Sequence, residues 1–203
     1  LPPAFPDRAA WGTATKLRAW QAAALHQYFD HPQRDFLAVA TPGAGKTSFA
    51  LTVASNLLAK RIVDRIVIVA PTEHLKTQWA EAADRVGIAI DPQFGVRQGK
   101  AAKDFKGIAL TYAGVAANPL ALRIRVEGFK TLVILDEIHH AGDAMSWGES
   151  VREAFDPATR RLMLTGTPFR SDTNPIPFVR YEPTGDGGLR SVADFTYGYA
   201  EAL

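Results

Sequence analysis

The chain has 203 residues, 47% of them hydrophobic, enough to bury a sizeable core in one domain, and no apolar run approaches the ~20 residues that span a bilayer. Its 23 basic residues nearly balance 21 acidic ones for a formal net charge of +2, so any nucleic-acid surface has to be local rather than global. The absence of cysteine excludes disulfides and thiolate metal sites.

Residues 1–14, with Pro2, Pro3 and Pro6, read as irregular, and a domain over 15–203 follows, opening on a helix. Residues 36–40 (F-L-A-V-A) suit a buried strand, while 48–61 hold Phe49, Val53, Leu57 and Leu58 at helical spacing. Between them runs A-T-P-G-A-G-K-T, residues 40–47. Gly43 and Gly45 leave room for backbone N–H groups to face phosphate oxygens, Lys46 brings a positive charge to the β/γ-phosphates, and the Thr47 hydroxyl suits Mg²⁺. Thr41, Pro42, Ala44 and Ser48 complete the loop. Its first position is Ala40 rather than glycine, but strand, loop and helix follow in the order a phosphate-binding loop requires, which predicts a bound nucleoside triphosphate.

Residues 65–70 (R-I-V-I-V-A), 107–112 (G-I-A-L-T-Y), 131–137 (T-L-V-I-L-D-E) and 160–165 (R-R-L-M-L-T) are further strand-like runs, with helix-like stretches at 74–86 and 149–155. This alternation predicts an α/β domain with a mainly parallel sheet, right-handed crossovers and helices on both faces. On the 74–86 helix, Leu75, Trp79, Ala82, Ala83 and Val86 share one face, which makes Trp79 a core residue rather than a base-stacking platform. Residues 131–135 form a strand buried on both faces that runs straight into Asp136 and Glu137. Ligands of open parallel sheets bind beyond the carboxyl ends of the strands, so these acids and the phosphate loop should meet on one Mg·ATP. Asp136 would hold the metal, directly or through water, and Glu137 would orient the attacking water. His139 and His140 invite a zinc or dinuclear reading, which is disfavoured because adjacent residues at one strand end rarely converge on a point. His139 instead suits a hydrogen-bonding link above the nucleotide. Trp147 is expected in a Gly-flanked loop, and 174–190, with Pro175, Pro177, Pro183 and a G-D-G-G turn, in a surface excursion.

The ordered set L-R-A-W-Q (17–21), A-T-P-G-A-G-K-T, Ala70-Pro71-Thr72 with Leu75 and Gln78-Trp79, Thr111-Tyr112, D-E-I-H and L-T-G-T-P (164–168) resembles the first RecA-like ATPase domain of superfamily 2 helicases and translocases. The likeness covers about residues 14 to 203 and is nearest to the DExH branch that holds the type III restriction translocation subunits, because T-G-T-P-F-R-S-D and the 197–203 tail are similar to that branch. The resemblance implies that Gln21 reads adenine with Arg18 as a supporting contact. It implies that Pro71, Thr72, Gln78, Thr111 and Tyr112 touch a nucleic-acid backbone without reading sequence, and that Thr165 and Thr167 couple the nucleotide site to domain movement. Pro42 departs from the family's usual threonine. No stacking partner for adenine is fixed: Phe5 and Trp11 are candidates, and both could equally be packing residues. The second RecA-like domain, which in that family supplies an arginine finger, has no room here, so the chain reads as half a motor.

The resulting expectation is the ATP- and Mg-dependent half of a DNA helicase or double-stranded DNA translocase, DNA being favoured over RNA by the branch. Two rivals are a phosphate-loop NTPase with no nucleic-acid role, or an RNA helicase of the DExH type. A silent binding module is a third, disfavoured by the full set Lys46, Thr47, Asp136 and Glu137. Local basic groups at Arg123 with Arg125, Arg160 with Arg161, and Lys100 with Lys103 and Lys106 read equally as solvated faces or contacts. With no signal-like start the chain reads as soluble and intracellular, and Leu1 suggests an excised fragment.

Overall fold

The computed structural model describes residues 17–95, 105–142, 145–166, 170–171, 175–185 and 188–198. In chain order the elements are α1 (Ala19–Asp30), β1 (Asp35–Ala40), α2 (Lys46–Ala59), β2 (Arg65–Ala70), α3 (Glu73–Arg85), β3 (Ile90–Asp91), β4 (Gly107–Thr111), α4 (Tyr112–Ala117), α5 (Pro119–Glu127), β5 (Thr131–Leu135), α6 (Met145–Phe155), β6 (Arg160–Thr165), β7 (Arg170–Ser171), β8 (Arg180–Pro183), β9 (Leu189–Val192) and β10 (Phe195–Tyr197).

Seven of the described strands form one parallel sheet in the order β10-β1-β6-β5-β2-β4-β3, and β7-β9-β8 form a small antiparallel one. Alternation along each central strand divides the apolar residues between two cores. Phe36, Ala38, Ile66, Ile68, Leu132, Ile134, Leu162 and Leu164 face α1, α2 and α3. Leu37, Val39, Val67, Val69, Val133, Leu135 and Met163 face α4, α5 and α6. Both faces are therefore apolar, which is why these strands read as unbroken hydrophobic runs. Each fully buried Leu, Ile, Val or Phe stabilises by about 1.5–3 kcal/mol, and a one-residue slip would exchange the two sets between unlike helix layers, so the register is strongly held.

Several sequence expectations are corrected at the element ends. The β5 ladder stops at Leu135, so Asp136 and Glu137 lie beyond the strand, and a 3₁₀ turn (Ile138–Gly142) follows them. Tyr112 opens α4 instead of closing a strand, and α2 starts two residues early, at Lys46, and stops at Ala59. Trp147 lies inside α6, its ring stacked on Tyr112 at 6.4 Å, rather than in a loop. Arg161 is no surface cation: it is buried, pairs with both carboxylate oxygens of Asp35 and lies over the Phe178 ring. Arg123 pairs with Glu127, and Arg125 lies over Phe94. The segments holding Phe5, Trp11, Lys100 and Lys103 lie outside the described residues. Among the described residues no helix is long and apolar enough to cross a membrane.

Gly107 opens β4 between Ile66 of β2 and Ile90 of β3. A Cβ there would stand 2.0 Å from the Ile66 carbonyl oxygen, a backbone atom that cannot step aside. Gly107→Ala should therefore destabilise the fold by about 1–3 kcal/mol, the usual cost of overpacking, read as a lower urea midpoint.

Candidate ATP site at the strand ends

The phosphate loop leaves β1 and turns through two left-handed glycines, Gly43 at φ +75° and Gly45 at φ +94°. A side chain is disfavoured at either φ, and at Gly45 a Cβ would also stand 2.7 Å from Gln21 Nε2. The start of α1 holds three consecutive loop carbonyls. Arg18 donates to Gly43 O at 3.0 Å, the buried Trp20 indole N–H to Ala44 O at 3.0 Å, and Gln21 Nε2 to Gly45 O at 2.9 Å. Because C=O and N–H point in opposite directions across a trans peptide, tying these oxygens to α1 turns the N–H groups of Ala44, Gly45 and Lys46 away from it. Ala44 N–H closes the turn onto Thr41 O, leaving those of Gly45 and Lys46 at the start of α2, where an anion is favoured. Thr47 and Ser48 follow in the first turn of α2, half-buried. Pro42 is exposed at the turn.

Strand order brings the acids to this loop. β6 lies between β1 and β5, so the ends of three neighbouring strands supply the loop, Thr165-Gly166 and Asp136-Glu137. Lys46 Nζ bonds Ala40 O at 2.9 Å and stands 3.4 Å from Glu137 Oε1. Glu137 Oε2 accepts from Gly166 N–H at 3.0 Å. Glu137 adopts φ +45°, a costly backbone for a residue with a side chain, held by these partners. His139 Nδ1 lies 3.1 Å from the buried Thr165 Oγ1 and 3.6 Å from Glu137 Oε2, so one imidazole touches both neighbouring strand ends. Thr167 lies outside the described residues.

Asp136 is the most constrained acid. Its N–H extends the sheet onto Val69 O at 2.9 Å, and its Oδ2 accepts the Trp79 indole N–H at 2.8 Å. Burial pushes this carboxyl above the ordinary carboxylate range; the Trp79 bond draws it back, the Glu137 charge pushes it further, and Lys46 opposes that. The donor set fits magnesium better than a protein-only metal cage. Among the described residues no three His, Cys, Asp or Glu gather to hold an ion, and Mg²⁺ characteristically takes one or two protein oxygens and completes its shell with phosphate and water. Thr47 and Asp136 are the residues here that would hold it.

The neighbouring strands β2 and β4 end level, Ala70 beside Thr111. Exposed Thr72 caps α3, its Oγ1 accepting from Leu75 N–H at 3.2 Å, and Thr111 caps α4 through Gly114 N–H at 3.1 Å. Gln78 is exposed and bonded to His74, with Pro71 half-buried beside Thr72. Tyr112 is the correction here. Its side chain is fully buried, and its hydroxyl donates to Asp136 O at 2.8 Å, so the side chain presents no surface to a nucleic-acid backbone. Gln21 is also tighter than expected: 4% exposed, with Oε1 accepting from Arg18 N–H as Nε2 holds Gly45 O. Sequence reasoning missed Trp20 and Trp79 as donors to the site. The available signal was that a buried indole N–H needs an acceptor, and both lie within a few residues of polar motif positions.

A parallel sheet with a glycine-rich phosphate loop beyond β1 and an acid pair beyond β5, one strand apart on the same edge, defines a RecA-like ATPase domain of the helicase kind. The family model of the type III restriction enzyme res subunit matches residues 14–170, and the chain belongs to that family. It is 58% identical over 92% of its length to the uncharacterized protein Rv2917 of Mycobacterium tuberculosis, and 31% identical over 66% of its length to the ATP-dependent DNA helicase MPH1 of Candida albicans. It spans 31% of the mycobacterial relative and 12% of the helicase. Similar solved structures include the Pyrococcus furiosus Hef helicase domain (TM-score 0.60, 25% identity, covering 79% of this chain and 34% of that one). The Sulfolobus solfataricus SWI2/SNF2 ATPase core in complex with dsDNA shares the fold (TM-score 0.61, 19% identity, 81% of this chain and 35% of that one).

The raised Asp136 carboxyl makes a stability prediction. At low pH this group is protonated in folded and unfolded chains alike and contributes no difference; as pH rises the unfolded chain ionises first, and the folded state is disfavoured by the buried charge. Asp136→Asn keeps the shape and the acceptor for Trp79 without that charge. The variant should melt above the wild type at neutral pH, and the gap should shrink as pH is lowered toward about 4, followed by thermal melts across a pH series.

Proposed function

We propose that the protein binds Mg·ATP and forms the hydrolytic half of a nucleic-acid-dependent motor, a DNA helicase or double-stranded DNA translocase. The observation that carries this reading is the contact of Lys46 with Glu137 at the mouth of the phosphate loop, 3.4 Å apart, with Gly166 N–H on the other carboxylate oxygen. A bound triphosphate competes for the Lys46 ammonium. As Lys46 turns to the phosphates, the Glu137 carboxylate loses its cation and is left to accept a hydrogen bond from water, while Gly166 keeps it aimed. Magnesium would supply neutralisation of phosphate charge, and Thr47 and Asp136 would hold it. Gln21 reads the adenine edge with capacity its two present bonds leave, an amide having two donors and two acceptor lone pairs.

The level ends of β2 and β4 support a nucleic-acid track. Thr72 and Thr111 begin two helices side by side, and helix N-termini with hydroxyl side chains suit phosphates rather than bases. The similarity to a named DNA helicase favours DNA, and by the family resemblance a second RecA-like domain would close the ATP cleft in the working protein.

Lys46→Ala should weaken binding of a fluorescent ATP analogue about tenfold to a hundredfold, the equivalent of roughly 1.5–3 kcal/mol for a charge-assisted contact, and Glu137→Gln should bind Mg·ATP yet not turn it over. Unchanged affinity in a folded Lys46→Ala protein would remove the loop as the phosphate site. Gln21→Ala should narrow the preference for ATP over GTP in competition assays and, by releasing Gly45 O, lower the affinity for both triphosphates by less than Lys46→Ala does. Hydrolysis measured with duplex DNA, single-stranded DNA and RNA should rise most with duplex DNA; indifference to all three would favour an NTPase without a nucleic-acid role.

A further inference from the structure

Asp136 is gripped from both faces of the sheet by the two helices that start at the threonine-capped edge, on its carboxylate from one face and on its main-chain carbonyl from the other. Trp79, on α3, belongs to the core on one face and donates its indole N–H to Asp136 Oδ2 at 2.8 Å. Tyr112, first residue of α4, belongs to the core on the opposite face and donates its hydroxyl to Asp136 O at 2.8 Å. The sequence distances are short: Trp79 lies two turns from the cap Thr72, next to exposed Gln78, and Tyr112 directly follows the cap Thr111. Asp136 itself is bonded to β2 through Val69 O, so it stands between the phosphate loop on the β1 side and the capped edge on the β2–β4 side.

We infer that Trp79 is a positioning residue that ties the placement of α3 to the metal-holding carboxylate of Asp136, while Tyr112 ties α4 to the main-chain carbonyl of the same residue, so that a strand bound at the capped edge and Mg·ATP at the loop change each other's affinity through these two hydrogen bonds. The inference rests on the proposed ATP and nucleic-acid reading and adds the physical link between its two ligands. The indole bond fixes one carboxylate oxygen and thereby the direction of the other. A shift of α3 on its phosphate contact moves the Trp79 donor, and the buried carboxylate has to follow or lose its partner. Because coupling between two binding sites is reciprocal, the same bonds carry the effect in both directions.

The test measures equilibrium binding of a non-hydrolysable fluorescent ATP analogue to the protein in EDTA, across a Mg²⁺ titration, and with and without a short DNA duplex. Trp79→Phe keeps a ring and deletes the donor. Partners that orient metal-holding groups typically change metal affinity 10- to 100-fold, so its half-saturating Mg²⁺ should rise about tenfold or more. Binding in EDTA should stay at the wild-type value, and the factor by which DNA alters Mg·analogue affinity should fall toward one. Leu57→Ala, a core change on the same face at the far end of α2, is the control: it lowers the melting temperature but should leave both readouts alone. Wild-type Mg²⁺ midpoint and DNA effect in folded Trp79→Phe would overturn the inference and leave the ATP reading standing. So would a shifted midpoint with an intact DNA effect, or a wild-type protein that binds Mg·analogue and DNA without mutual effect. A wild type that binds no Mg·analogue or no DNA would remove the functional reading itself and the inference with it. Should Trp79→Phe fail to fold, Tyr112→Phe, which deletes one hydroxyl, decides: an undiminished DNA effect overturns the link.

Discussion

Parallel pairing of β1, β6 and β5 is the constraint on which the rest of the molecule depends. Parallel strands put every carboxyl end on one edge, and the order β1-β6-β5 brings the phosphate loop, Thr165-Gly166 and Asp136-Glu137 together although they are far apart in the chain. The contacts across the site follow from that order: Glu137 to Gly166 and His139 to Thr165 join the neighbouring ends of β5 and β6, and Lys46 reaches Glu137 from the β1 side across the end of β6. The same geometry continues through β2 to β4, so the acid pair lies between the loop and the two threonine caps. The helices add to that placement, α1 holding the loop carbonyls and α3 the Asp136 carboxylate, but they act on groups the strand order has already brought together. A register slip of β5 against β6 or β2 would undo it, since it would move both carboxylates to the wrong face or depth.

Local strain and buried charge collect at this edge and are absorbed by the sheet behind it. Glu137 at φ +45°, the left-handed Gly43 and Gly45, and the desolvated Asp136 all lie within the first residues beyond fully apolar strands. Such features persist only when their surroundings over-determine them. Here the two hydrophobic cores, one on each face, hold the strand ends in place while the unfavourable groups point past them. The Asp35–Arg161 pair and its stacked Phe178 ring do the opposite service, closing the amino-terminal edge of β1 and β6 where no ligand is expected.

The strands that position the site were legible because they are buried on both faces. R-I-V-I-V-A and R-R-L-M-L-T coincide with β2 and β6, and F-L-A-V-A misses one residue of β1, since a run of branched apolar residues bounded by polar ones has little freedom to be anything else. Short elements carry no comparable period. β3 has two residues and β10 three, and they join the sheet through its neighbours' unpaired edges, a tertiary property that a local pattern does not contain. The ends failed for a related reason: Tyr112 and Glu137 look like strand continuations, but the first is drawn into a helix by the Thr111 cap and the second is turned by the φ its site demands. Motif chemistry singled out Lys46, Asp136 and Glu137, whereas the donors around them, Trp20 to the loop and Trp79 and Tyr112 to Asp136, were hidden by looking like ordinary core aromatics.

The donors at the start of α1 pre-order the loop for the proposed nucleotide. A glycine-rich turn is free to point its peptide groups in many directions, and ordering one residue's backbone costs about 1–2 kcal/mol. Arg18, Trp20 and Gln21 take hold of the carbonyls of Gly43, Ala44 and Gly45 in turn, so much of that ordering is completed during folding. Trp20 is itself fixed by Phe49 of α2 and by stacking on Tyr197 of β10, whose carbonyl accepts from Thr41 N–H at the start of the loop. The loop is thus enclosed by one ring of contacts running from β10 through α1 to α2. Gln21 stands at the point where that ring meets the proposed base site, and its amide cannot rotate toward a base without changing its hold on Gly45, the residue whose carbonyl also accepts the first helical bond of α2 from Phe49. On the proposed reading, base recognition and phosphate-loop geometry would therefore be one hydrogen-bonded unit rather than two independent contacts.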